Sequence, residues 1–215
     1  LREAWNILNA IAEGKIESGD EKKLNALKGE TMAVIALCQF DLTRCFGYPY
    51  TKDNGASLGA PLIDHLVGTY ENPSRSTVAQ AYDFIIETLE EAVTLMSEEK
   101  NNGRMNKYAA RALLARVYLY HNDNRKAFDM AEQLIKDVDA SGSYALYPHE
   151  KYVAAWSVET KFGSESFFEI ANSVDDTPGR DSWGYLLNWY GYQKGFVTQK
   201  YAEQMLADPG DVRGQ

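Results

Sequence analysis

The 215-residue sequence holds only two cysteines and three histidines, and its lysines and arginines nowhere cluster. Two cysteines cannot build a disulfide framework. The 22 Lys and Arg are outnumbered by 31 Asp and Glu, for a net charge of -9. An acidic chain without a basic patch lacks the footprint for nucleic acid or another polyanion. His65, His121 and His149 stand far apart, and no His-Glu-x-x-His or Cys/His grouping exists, so no transition-metal site is expected.

A long apolar run is missing too. The stretch "GETMAVIALCQFDLTRCFGYPY", residues 29–50, is broken by Gln39, Asp41 and Arg44. It falls short of the roughly 20 apolar residues that a bilayer requires. Cys38 and Cys45 share a helix face about 10 Å apart at the helical rise, beyond the roughly 7 Å that a disulfide spans between Cα atoms. They are read as buried structural thiols in a core helix. The chain opens at Leu1 with no methionine, signal peptide or lipid-attachment cysteine. It is read as an excised or processed segment, so the lack of an export signal says nothing about compartment.

What the sequence does have is helical periodicity. Residues 1–13 place Trp5, Leu8, Ile11 and Ala12 on one side. A long helix is predicted from about Asp20 to Phe46, stopped by Gly47 and Pro49. Residues 47–76, rich in Gly, Pro, Asn and Ser, read as a long loop, a feature that is usually functional or disordered. Ser76 or Thr77 then caps a helix whose Val78, Ala81, Tyr82, Ile85, Leu89 and Ala92 recur at three and four. Asn106 caps the next, with Ala109, Ala112, Leu113, Arg116, Val117 and Tyr120 in the same period. The last of the set turns Ala127, Ala131, Leu134 and Ile135 inward.

The helices come in pairs, as in helical-hairpin repeats. Leu114, Ala115, Tyr118, Ala127, Ala131 and Leu134 fit the tetratricopeptide spacing, with Ala115 and Ala127 expected to face each other where the hairpin closes. Residues 29–46 and 77–96 would form a second, degenerate pair with the long loop inserted. "ESFFEI", residues 165–170, reads as a short strand. The predicted fold is therefore mainly α, with tetratricopeptide-like hairpins, long loop insertions and one short strand element.

Four blocks carry a resemblance to a known family. "LKGETMAVIALCQFDLTRCFGYPY" resembles a helix of the SusD/RagB family, "NPSRSTVAQAYDFIIETLEEAV" looks like its next, "GRMNKYAARALLARVYLYHNDNRKAFDMAEQLI" is similar to its third block, and "ESFFEIANS" to the strand that follows. They occur in family order over roughly residues 24–173. The resemblance implies a surface-exposed outer-membrane lipoprotein of Bacteroidetes-type bacteria. Such proteins bind glycans, in some members peptides, and pass them to a SusC-type TonB-dependent transporter. Two departures stand out. The family's lipidated N-terminus and most of its C-terminal region are absent, so membrane attachment is expected only through a lipid anchor outside residues 1–215, read as a single SusD-like helical domain.

Catalytic readings fare poorly. "GASLG", residues 55–59, matches the Gly-x-Ser-x-Gly elbow, but that motif needs a strand before the serine and a helix after it. Here "TKDN" and "APLID" flank it, His65 has no third member, and Ser57 is not expected to be a nucleophile. Asp175, Asp176 and Asp181 read as solvated loop acids, with calcium as the minor alternative. No enzyme activity and no cofactor are expected.

The tail "DSWGYLLNWYGYQKGF", residues 181–196, is the informative stretch. Trp183, Tyr185, Trp189, Tyr190, Tyr192 and Phe196 alternate with three glycines, a pattern that helical amphipathicity explains badly. Pyranose rings have an apolar CH face that lies flat on indole or phenol, while tyrosine hydroxyls, Asn188 and Gln193 can bond the rim hydroxyls. The expected ligand-binding residues are Trp183, Tyr185, Asn188, Trp189, Tyr190 and Tyr192, with Tyr50 and Asn54 of the first loop as weaker contributors. The competing reading of the same tail is core packing, or an anchor for the missing C-terminal part. Non-catalytic glycan binding is the expected function. A tetratricopeptide-like protein-interaction scaffold and a peptide-binding RagB-like member are the alternatives.

Overall fold

The computed structural model describes residues 1–156, 161–171, 173, 175, 177–188 and 190–212. Eight helices follow in order among them: α1 (Arg2–Ala12), α2 (Glu21–Phe46), α3 (Val78–Leu95), α4 (Lys107–Tyr120), α5 (Asn124–Ser141), α6 (His149–Ala155), α7 (Trp183–Leu187) and α8 (Gln199–Leu206). Two short strands, β1 (Leu58–Pro61) and β2 (Arg75–Thr77), lie between α2 and α3. The helices pair as tetratricopeptide-like hairpins, α2 with α3 and α4 with α5, and α3 packs on α4.

Local chemistry sets the helix ends. The Asp20 carboxylate accepts from the Lys22 and Lys23 amides, satisfying two donors that open α2. Thr77 and Gln80 form a reciprocal capping box on α3. Asn106 caps α4 by accepting from Ala109 N at 3.0 Å, while its Nδ2 donates to the Tyr144 hydroxyl at 2.7 Å. Asp123 caps α5, which ends at Gly142 in the left-handed region, φ 63°.

The core lies between α2, α3 and α4. Met32, Ala33, Ala36 and Phe40 meet Val78, Tyr82, Ile85, Leu89 and Ala92, and Leu113, Leu114 and Val117 close the other side. Gly29 marks the closest approach of α2 to α3: a Cβ there would lie 2.7 Å from Met96 Cγ and 2.9 Å from the Ala92 carbonyl oxygen. Among the described residues, no helix is long and apolar enough to cross a membrane.

The structure corrects several expectations. Residues 47–76 are not a structureless loop, because β1 and β2 pair antiparallel within them, Leu58 opposite Thr77 and Pro61 opposite Arg75. The fully buried Gln39 acts as a surrogate strand: its Nε2 donates to Pro61 O at 3.1 Å and its Oε1 accepts from Ile63 N at 3.2 Å. The insertion in turn caps α3, since Val78 N and Ala79 N donate to the carbonyls of Ser57 and Gly55, each at 2.9 Å. "ESFFEI" is not a strand, for no strand edge lies beside it. Phe167 is instead packed against the core and against Tyr144.

Cys45 is exposed and Cys38 only half-buried, because the buried stripe of α2 runs through Ile35, Ala36, Gln39, Phe40 and Thr43. Ile135 points outward, and the inner face of α5 is Ala127, Leu134 and Val138. Arg116 and Tyr120 are exposed on α4, whose buried set instead includes Tyr108, Ala110, Leu114 and Tyr118.

Candidate functional site

Ser182 opens α7 by accepting from Tyr185 N at 3.1 Å. The chain then turns back on the helix it has just made. Tyr192 N donates to Tyr185 O and Lys194 N to Leu186 O, both at 2.9 Å. Gly191 permits this return, since a Cβ there would sit 1.8 Å from the Tyr185 carbonyl oxygen. Asn188 braces the turn, with its Oδ1 accepting from Tyr190 N at 2.8 Å. The Tyr185 and Tyr192 rings meet edge to face at 5.1 Å.

The result is a self-braced loop that turns aromatic rings outward. Trp183 is 78% exposed and Tyr190 91% exposed, with Tyr192 also exposed and Tyr185 half-buried. Trp189 and Asp176 lie outside the described residues. Phe196 is exposed as well. No residue of α6, α7 or α8 is fully buried.

Tyr50 belongs to a different group. It sits in a single 3-10 turn, Tyr50–Lys52, with its ring 5.7 Å from Tyr82 and 4.3 Å from His121. Its ring contacts among the described residues are with that group and not with the tail. Asn54 is exposed, with φ 55°. Phe40 and Tyr120 join the cluster at 5.4 Å, and the Arg44 guanidinium lies over both their rings while bonded to Asp41. Burial pushes the Tyr82 phenol up to about 12, with Tyr120 adding to the shift and Arg44 opposing it. Sequence reasoning missed this gathering, because Tyr82 and Tyr120 read as ordinary members of helical periods.

The elbow motif is accounted for without catalysis. Ser57 Oγ donates to the Asp53 carboxylate, which holds that carboxyl below its ordinary range. His65 is engaged elsewhere: Nδ1 meets Asp64 at 2.6 Å and Nε2 meets Glu71 at 2.7 Å. Those two carboxylates raise the His65 pKa. Glu71 is lowered, first by the Gly68 amide and then by His65. Among the described residues, no three His, Cys, Asp or Glu are placed to hold a metal.

Paired helices with an outward aromatic loop define a helical-repeat protein built to present a binding surface. A SusD-like family model, described as starch-binding associating with outer membrane, matches residues 1–119. The chain belongs to the SusD-like family. It is similar to a SusD superfamily protein from Bacteroides vulgatus, with 96% identity over 99% of this chain and 48% of that one, at a TM-score of 0.94. A SusD superfamily protein from Bacteroides thetaiotaomicron shares 34% identity over 97% of this chain and 46% of that one, at 0.85. Surface glycan-binding protein A from Bacteroides fluxus shares the fold at 24% identity, over 77% of this chain and 33% of that one, at 0.60. The chain thus spans about half the length of the first two. No curated protein matches it.

Proposed function

We propose that this chain is part of a glycan-binding protein that holds oligosaccharide without cleaving it, at the outer-membrane surface, and hands it to a SusC-type TonB-dependent transporter. The observation that carries the reading is the outward placement of Trp183, Tyr190 and Tyr192 on a loop braced by its own backbone. Exposed aromatic rings offer rigid flat area with a polar handle, which suits a sugar face and edge. Trp189 lies in the same stretch and is assigned to the same surface, with Tyr185 and Asn188 holding its shape. The family description and the name of the Bacteroides fluxus neighbour support the ligand class.

The scaffold reading draws on α5, where Phe128 and Ile135 stand exposed. Titration with starch-derived and other neutral oligosaccharides separates the two. Saturable binding that varies little with salt is expected, because a neutral ligand leaves few charges to screen. Chromatography should recover the sugar at its original length. Failure of every oligosaccharide to bind would favour the scaffold, and shortened products would reinstate an enzyme.

A further inference from the structure

The cluster around Tyr50 contains a polar group with no use in the fold. Tyr82 is 3% exposed, and its ring is held by Phe40, Tyr50 and His121. Its hydroxyl makes no hydrogen bond among the described residues, and it is not sealed from the adjoining cavity. Buried polar groups almost always have a partner, so such an exception calls for one. The cavity beside it is a cup of about 130 Å³ walled by Arg44, Tyr48, Tyr50, Thr51, Tyr82 and Tyr120. Arg44 and Tyr120 are also the groups that act on the Tyr82 phenol, which places its oxygen on the cup side.

Size and chemistry narrow the occupant. The space equals roughly four waters' share of the liquid, given about 30 Å³ each. It takes the edge of one small ring and no length of chain. An apolar side chain would leave the Tyr82 hydroxyl unpartnered. A cation would meet Arg44, and an anion would meet an Arg44 whose charge Asp41 already balances. A secondary hydroxyl on a neutral ring both donates and accepts, as a phenol does.

We propose that the cup is a second carbohydrate site that takes one neutral sugar residue edge-first, with the Tyr82 hydroxyl bonding a ring hydroxyl and Tyr50 and Tyr120 as its walls. The ligand class rests on the glycan-binding reading, but the site makes no use of the tail. It would grip a chain end or a single sugar, whereas the open tail surface suits a stretch of chain.

The test uses the 215-residue chain, its Tyr82→Phe variant and a Trp183→Ala/Tyr190→Ala variant, with glucose, galactose, mannose and xylose as probes. Saturation-transfer NMR and titration should show one of these monosaccharides binding the parent and the tail variant alike. Tyr82→Phe should weaken that binding about fivefold, the effect of one net hydrogen bond. Its melting point should hold or rise, because the ring stays and an unpartnered hydroxyl goes. No monosaccharide binding, binding unchanged in Tyr82→Phe, or a lower melting point in that variant would each overturn the site. The tail reading stands or falls separately, on oligosaccharide binding by the tail variant.

Discussion

Residues 1–141 and residues 142–212 solve different problems with the same types of side chain. In the first region Phe40, Ile35, Ile85, Leu89 and Leu114 are fully enclosed, and four of the helices carry side-chain caps. In the second, Leu146, Trp156, Ile170, Trp183, Tyr190 and Leu206 all face outward. Burial of apolar area dominates the stability of the first region. Short-range backbone bonds, such as Tyr192 N to Tyr185 O, hold the loop of the second. The difference teaches that aromatic content alone does not mark a core. It also means that binding and stability are separable by substitution in the tail and not in the helices.

The sharpest contrast comes from matched deletions. Ile85→Ala empties a fully buried site between α2 and α3 and should cost about 2–5 kcal/mol in chemical denaturation. Leu187→Ala, at an exposed position of α7, should stay within about 0.5 kcal/mol. Equal losses for the two would erase the comparison.

Glycines offer a second contrast. Gly29→Val forces atoms into the α2–α3 contact and should cost about 1–3 kcal/mol or more by overpacking. Gly184→Ala meets only Ser182 Oγ at 3.9 Å and should leave the melting curve in place. A tolerated valine at position 29 would mean that the helices do not approach as described.

Thiol labelling reads the edge of the core. Cys45, exposed near the end of α2, should react promptly in buffer, and the half-buried Cys38 should lag behind it. Protection of both thiols would restore the buried placement that the apolar run suggests.

The smallest effect concerns the clip in the β1–β2 connection. The imidazolium of His65 is favoured by Asp64 and Glu71, so its NMR titration midpoint should lie above the ordinary 6.5. A raised histidine pKa contributes stability that is complete below the unfolded value and is lost as pH rises through the folded one. Glu71, lowered, contributes above its unfolded value and loses that contribution as pH falls through its folded one. The clip is therefore tightest between the lowered Glu71 and the raised His65 values. Glu71→Gln should bring the His65 midpoint down, and an unmoved midpoint would dissolve the clip.

Much of the helical region was legible because its signals are local. Thr77, Asn106 and the Val78-to-Ala92 series act within a turn or along one face, so periodicity and caps place them. The β1–β2 pair was not, because its ordering partner Gln39 lies 22 residues from Pro61 and reads as just another interruption of an apolar run. Ile135 and Cys45 were misplaced for a related reason: each lies about one helical position off the true stripe, a small angular error that turns inside to outside. The cup around Tyr82 draws on α2, α3, α4 and the 3-10 turn, so no single window of sequence contains it. In the tail, adjacent aromatics and glycines have no period, which left exposure and burial equally open until the return of the chain at Gly191 was seen.

The central claim is that the tail aromatics bind sugar and do not hold the fold. The most direct measurement takes oligosaccharide affinity and melting point on one variant, Trp183→Ala/Tyr190→Ala. Stacking on an aromatic ring is worth about 1–3 kcal/mol in sequence-tolerant sites elsewhere, so affinity should fall by about tenfold or more. The melting point should stay where it is. Unchanged affinity with a melting point lowered by several degrees would contradict the account and make the tail a structural element.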